Sequence, residues 1–198
     1  MAKIIKFPHP TPEKFGFKPV RKRRGVKKDK QGQLNLFTGG KIVKLSQLSS
    51  FEEGLVLDED GDEKAVEAYQ RAIKEGDCIA DAYCNLGIIE SERGKHSKAM
   101  DCFTLCLKEQ PRHFEAHYNL ANVYAEIGNY PLAKIHYQMS IEIEPEFPNS
   151  HFNLGLTYAI NKEIKPAISS LIKYKELAID ADDSYVDDLI DGLERSIK

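Results

Sequence analysis

Cysteine and histidine, two residue types that often perform chemistry in proteins, show no catalytic or metal-binding pattern in this sequence. All four cysteines lie between Cys78 and Cys106, and none forms a CxxC pair or has the Cys/His spacing of a metal site. The histidines are scattered, and neither a nucleophile–base pair nor a phosphate-binding glycine loop accompanies them. We therefore expect no enzymatic activity, no metal and no cofactor.

One acidic segment, residues 58–62, resembles the start of a calcium-binding loop because Asp58, Asp60 and Asp62 alternate with other residues. Such a loop has glycine at its sixth position and glutamate at its twelfth. Here the glycine is at the fourth position and Tyr69 stands at the twelfth. We interpret the segment as a solvated turn whose carboxylates favour the start of the following helix.

The segments that carry these residues repeat with a period of 34. Three columns of identical residues show this period: Leu86, Leu120 and Leu154; Asn85, Asn119 and Asn153; Ala99, Ala133 and Ala167. Apolar residues have helical spacing within each unit, and Gly94 and Gly128 interrupt them in the middle. A helix–turn–helix unit repeated at this period predicts a stack of helix pairs.

With these columns the chain resembles tetratricopeptide-repeat proteins, in particular bacterial members with a short basic N-terminal extension. The resemblance implies an all-α tetratricopeptide-repeat solenoid of about four units, with a C-terminal capping helix and a disordered or extended arm before the first unit. The predicted divisions are 1–46 for the basic arm, 47–181 for the repeats (47–79, 80–113, 114–147 and 148–181) and 182–198 for the capping helix. The pattern has exceptions, since Lys162 replaces the turn glycine and Glu90 replaces a tyrosine.

The same resemblance implies that the first helix of each unit lines a concave, peptide-binding groove. The residues at the corresponding positions are Asp81, Asn85, Ile88, Glu115, Tyr118, Asn119, Asn122, Glu126, Phe152, Asn153 and Leu156. An asparagine amide both donates and accepts, so the asparagine column could bind the backbone of an extended peptide, or it could order its own helix. Members of the family that bind chaperone tails use lysine and arginine here. The acids and aromatics of this chain favour a partner with basic and apolar character.

The N-terminal arm has the opposite charge to the repeats. Residues 1–45 hold 13 Lys+Arg and 2 Asp+Glu, whereas the rest of the chain holds 15 and 29. Such an arm could contact nucleic-acid phosphates, lie against the acidic repeats of its own chain, or serve as a localisation signal. The residues that could contact phosphates are Arg21, Lys22, Arg23, Arg24, Lys27 and Lys28.

Residues 33–45 have two interpretations. Apolar residues on either side of Gly39 and Gly40 predict a short hairpin that packs on the first repeat. The segment also resembles the QLxLF pentapeptide by which bacterial replication and repair proteins dock on the sliding clamp. The residues of that possible linear motif are Gln33, Leu34, Leu36 and Phe37.

No apolar run in the sequence approaches the ~18 residues that a membrane span requires. The sequence therefore favours a cytoplasmic, non-catalytic scaffold that binds an extended peptide or protein, and no membrane partner. The alternative is a nucleic-acid-associated adaptor, in which the arm contacts phosphates and the repeats recruit a protein. A third interpretation is a factor that docks on the sliding clamp.

Overall fold

The structure is a computed structural model that describes residues 26–28, 34–36, 42–43, 48–178 and 184–196. The chain divides between Pro111 and Arg112 into two compact units. We call the described residues before this point the N-unit and those after it the C-unit. The candidate phosphate contacts Arg21 to Arg24 lie outside the described residues, as do Gln33 and Phe37 of the pentapeptide, and only the backbone of the strands is described.

The N-unit contains a short antiparallel sheet and two helix pairs. The strands are β1 Val26–Lys28, β2 Leu34–Leu36 and β3 Ile42–Val43. Strand β2 lies in the middle and pairs with both neighbours, with Val26 opposite Leu36 and Leu34 opposite Val43. The helices are α1 Ser50–Glu59, α2 Lys64–Glu75, α3 Ile79–Glu92 and α4 His96–Glu109. Strands β2 and β3 fall within the segment for which the sequence predicts a hairpin.

The C-unit contains two further helix pairs and a last helix. Its helices are α5 Phe114–Glu126, α6 Tyr130–Ile143, α7 Pro148–Ile160, α8 Ile164–Leu177 and α9 Ser184–Ser196. We call α1, α3, α5 and α7 the first helices of the four repeats, and α2, α4, α6 and α8 the second helices. These helix pairs confirm the predicted all-α class. The short sheet of the N-unit is an addition that the fold-class prediction did not include.

Local sequence explains where the helices begin and how they turn. Helix α1 starts with a capping box, in which the Ser49 hydroxyl accepts from the backbone N–H of Glu52 and the Glu52 carboxylate accepts from the backbone N–H of Ser49. In the turns after α3 and α5, Gly94 and Gly128 adopt positive φ angles of 69° and 78°. Lys162 takes the same conformation after α7, with φ 62°, so the missing glycine does not change the turn.

The two helices of a repeat approach closely because a small residue lies between them. A Cβ atom added to Gly87 on α3 would lie 2.6 Å from the buried ring of Phe103 on α4. Gly155 on α7 has the same relation to Leu171 on α8, with a closest distance of 2.9 Å. Burial of these apolar side chains supplies the main driving force for pairing the helices.

Helix α9 covers the apolar end of the last repeat. Val186 and Leu193 are fully buried and join a core cluster with Leu156 and Leu171 of the C-unit. On the other side of α9, Asp187 is exposed and pairs with Lys175 of α8. A stack of helix pairs needs a polar-faced element at its end, and α9 has this composition.

Within the part of the chain that the structure describes, none of the helices has the length and apolar character needed to cross a membrane.

We predict that Gly87→Ala destabilises the N-unit, because the new methyl group collides with the ring of Phe103. The expected loss in the free energy of unfolding is about 1–3 kcal/mol, measured by urea denaturation. The matched control is Gly192→Ala in α9, where an added Cβ meets no atom within 4 Å. The control should be neutral or stabilising by up to about 1 kcal/mol. Equal effects of the two substitutions would contradict the packing argument.

Candidate functional site

The structure places the predicted groove residues on the first helices, but it buries most of them. Asn85, Asn119 and Asn122 have no exposed surface, and Tyr118 and Asn153 are 1% exposed. Ile88, Phe152 and Leu156 are also buried. Of the predicted set, Asp81 and Glu115 are half-buried and Glu126 is exposed. The carboxylates, rather than the amides, therefore remain accessible to a partner.

In the C-unit the buried amides form a hydrogen-bonded network with two tyrosines. The Tyr137 hydroxyl donates to Asn122 Oδ1 over 2.6 Å. Asn153 Nδ2 donates to the same oxygen over 3.0 Å and lies 3.2 Å from the Tyr118 hydroxyl oxygen. The network joins α5, α6 and α7, and therefore links the third repeat to the fourth. Asn153 Oδ1 is buried and has no hydrogen-bond partner among the described residues.

Burial keeps both tyrosine hydroxyls of this network protonated at neutral pH. Burial raises the pKa of Tyr118 to about 12, although hydrogen bonds with asparagine side chains lower the pKa in part. The pKa of Tyr137 is raised well above its usual value, chiefly by burial and then by the proximity of Tyr118. The Tyr137 hydroxyl therefore acts as a donor to Asn122 and not as a base.

The N-unit contains the same type of link between successive repeats. Asn85 Nδ2 on α3 donates to the Tyr69 hydroxyl oxygen on α2 over 3.2 Å. The Tyr69 hydroxyl in turn donates to Asp58 Oδ2 on α1 over 3.2 Å. Burial, followed by the charge of Asp58, raises the pKa of Tyr69. The sequence left open whether the asparagine column binds a peptide backbone or orders its own helix; Asn85 and Asn153 instead bond to side chains of neighbouring helices.

The groove residues predicted from the sequence include Glu126, but they do not include two other carboxylates of the same column. Asp58, Glu92 and Glu126 are 34 residues apart and lie in the last turns of α1, α3 and α5. We call these three residues the acidic column. No basic residue occupies those last turns, although a cation is favoured at the negative end of a helix dipole. Burial, and then the charge of Asp58, raises the pKa of Glu92. The 34-residue spacing alone could have identified Asp58.

Two histidines, His117 on α5 and His136 on α6, contact each other inside the third repeat. Their Nδ1 atoms are 3.0 Å apart, so one ring donates and the other accepts, and at least one Nδ1 must be unprotonated. The ring of Tyr124 stacks on His136 with centroids 5.6 Å apart. Burial, followed by the proximity of His117, lowers the pKa of His136 to about 4. The contact packs α5 against α6, and the lowered pKa of His136 keeps that imidazole neutral at pH 7.

The described cysteines form no disulfide. Burial raises the pKa of the Cys102 thiol to about 11, with a smaller contribution from the charge of Glu90. A thiol with a raised pKa is a poor nucleophile because its thiolate fraction is small.

Comparisons with known proteins agree with this architecture. Residues 80–113 and residues 114–147 each match a family described as Tetratricopeptide repeat. The comparison with curated proteins gives no match.

Three solved structures are similar to the chain. The first TPR of Spaghetti (RPAP3) bound to HSP90 peptide SRMEEVD has a TM-score of 0.56 and 14% identity, over 60% of this chain and 92% of that one. The MamA protein has a TM-score of 0.58 and 22% identity, over 65% and 71% of the two chains. The first TPR domain of human RPAP3 has a TM-score of 0.54 and 14% identity, over 60% and 91%. These similarities confirm the predicted fold.

We predict that Asn153→Ala lowers the free energy of unfolding by about 1–3 kcal/mol, because two buried polar atoms lose a donor. The measurement is urea denaturation of the full chain. Asn161→Ala is the control, since Asn161 is exposed at the end of α7. If both substitutions have the same small effect, the network does not link the repeats energetically.

We also predict that protonation of His136 destabilises the fold. The pKa of His136 is about 4 in the folded chain, below the ordinary value of about 6.5. Its contribution to stability is therefore complete above pH 6.5 and is lost as the pH falls from there towards 4, with a slope of at most about 1.4 kcal/mol per pH unit. His136→Gln should remove this part of the pH dependence in urea denaturation. An NMR titration midpoint near 6.5 for His136 would refute the argument.

Proposed function

Residues 80–147 are tetratricopeptide repeats, and from this premise we propose that the protein is a non-catalytic scaffold that binds an extended, basic segment of a partner protein. The segment would lie on the first helices of one unit and pair with their carboxylates.

The observation that carries this proposal is the separation of charge between the first helices, taken together, and the second helices. The four first helices contain nine acidic residues and neither lysine nor arginine. The second helices contain nine lysines and arginines and six acidic residues. Glu53 pairs with Arg71, and Glu90 pairs with Arg93 and Lys95, but the excess of carboxylates on the first helices favours a basic ligand over an acidic one.

One of the similar structures is bound to a peptide whose charge is opposite to that of the partner proposed here. The first TPR of RPAP3 is bound to an HSP90 peptide, SRMEEVD, that carries three acidic residues. In the present chain the first helices carry Asp81, Glu115 and Glu126. Like charges facing each other across an interface cost several kcal/mol, so an acidic peptide of that kind is disfavoured here. We therefore propose a partner of opposite charge for this chain.

We predict that a labelled peptide of alternating arginine and leucine binds the chain, whereas its glutamate–leucine counterpart does not. Glu115→Gln with Glu126→Gln should weaken binding about twofold to thirtyfold, because each lost ion pair contributes about 0.2–1 kcal/mol. Fluorescence anisotropy at low salt gives the dissociation constant. The measurement is made on a full-length variant with Arg21, Lys22, Arg23 and Arg24 each replaced by Gln, which we call the arm-neutral variant. This change keeps the basic arm from competing with the probe.

The control pair for this experiment is Glu142→Gln with Glu146→Gln, two exposed carboxylates that lie outside the first helices. It removes the same charge and should leave the dissociation constant nearly unchanged. Equal binding of the acidic and basic peptides, or equal weakening by the two pairs of substitutions, would reject the proposed function.

The other functional interpretations of the sequence stay predictions. Contact with nucleic acid depends on arm residues outside the described part of the chain, or on strand residues whose side chains are not described. Docking on a sliding clamp depends on residues 33–37, of which the structure describes only the backbone of Leu34–Leu36, paired on both sides in β2. Location in the cytoplasm is likewise a prediction from the sequence.

A further inference from the structure

Two cysteines that the proposed function does not use lie side by side in the N-unit. Cys84 is on α3 and Cys106 is on α4, the two helices of the second repeat. Both side chains are fully buried, and their Sγ atoms lie within 4.8 Å of each other. The two cysteines are 22 positions apart in the sequence, and this spacing matches no short metal-binding motif. The pairing of α3 with α4 brings the two thiols together.

The fourth repeat shows that these two positions face each other across a helix pair. The residues 68 positions after Cys84 and Cys106 are Phe152 on α7 and Tyr174 on α8. Their rings are in contact, with centroids 5.1 Å apart. The second repeat therefore has two small thiols at a pair of facing positions that the fourth repeat fills with two large aromatic rings.

The separation of the sulfurs suits a single metal ion bound by both of them. A thiolate binds zinc at about 2.3 Å, and at such a bond length two sulfurs on one ion are at most about 4.6 Å apart. The two Sγ atoms are thus close to bridging distance. Thiolates select soft ions such as Cu(I). Cu(I) accepts two ligands in a line, whereas structural zinc sites have four.

We propose that Cys84 and Cys106 form a binding site for one Cu(I) ion in the N-unit. On binding, each thiol releases its proton to solvent and each sulfur forms a bond to the ion, and no oxidation state changes. The bound ion cross-links α3 to α4 and stabilises the second repeat. Because both sulfurs are buried, the ion enters when the two helices separate transiently, so binding is slow and is measured at equilibrium.

The test titrates the full-length, reduced protein with Cu(I) alone, in competition with a coloured Cu(I) chelator and without oxygen. We expect the chain to withdraw one ion from the chelator, and the midpoint of thermal unfolding to rise as the ion binds. Cys84→Ser and Cys106→Ser should each abolish this uptake, because a hydroxyl does not replace a thiolate as a ligand of a soft ion.

A second variant, Cys106→Ala, guards against loss of the fold. The first repeat has Ala72 at the position equivalent to Cys106, fully buried in its core, so this substitution should fold, as checked by circular dichroism. It should also abolish the uptake of Cu(I). Uptake by folded Cys106→Ala equal to that of the wild-type chain overturns the proposal, as does a wild-type chain that takes up no Cu(I).

The matched control is Cys78→Ser with Cys102→Ser, two half-buried cysteines of the same unit. The control removes two thiols and should bind Cu(I) as the wild-type chain does, whereas equal loss of uptake would refute the assignment to Cys84 and Cys106. X-ray absorption at the copper edge adds a measurement of the ligands themselves. Sulfur neighbours are expected, and nitrogen or oxygen neighbours without sulfur would contradict the site. Uptake of Zn(II) in place of Cu(I) would overturn it as well.

Discussion

Hydrogen bonds between a tyrosine of one helix pair and an asparagine of the next connect successive repeats at the junctions that the structure describes within each unit. A helix pair cannot bury its own apolar face, so its stability depends on its neighbours. Asn85 reaches Tyr69 across one such junction, and Asn153 reaches Tyr118 and Asn122 across another. A buried amide without these partners would destabilise the junction by about 1–3 kcal/mol.

This role changes how the asparagine column relates to binding. Because Asn122 and Asn153 are used inside the C-unit, the predicted groove residues that stay accessible there are the carboxylates Glu115 and Glu126. In the binding mode that we propose, the carboxylates would select the partner by charge, while the amides set the spacing of the helices that present them. A single column of residues can therefore be essential to a binding surface without contacting the ligand.

The separation of charge gives the protein two complementary parts. The first helices carry carboxylates without lysine or arginine, whereas the first 45 residues carry 13 Lys+Arg. Acidic side chains in the last turns of α1 and α3 oppose the helix dipoles, so stability of the isolated helices does not account for them. Asp58 has a structural role there, because its carboxylate accepts a hydrogen bond from the buried Tyr69 side chain.

The sequence by itself determined the repeat, its period, the helix pairs and the position of the turns, because these depend on local spacing and on small residues such as Gly87. It also determined the charge of the first helices. Tertiary structure decided which polar residues are buried. Asn119 and Glu115 stand on the same helix, yet the asparagine is inside and the carboxylate is half-buried. The unusual positive φ of Lys162 also became visible only in the fold. Burial depends on what packs against a helix face, and hydrogen bonds between residues 16 to 35 positions apart form only when the chain brings them together.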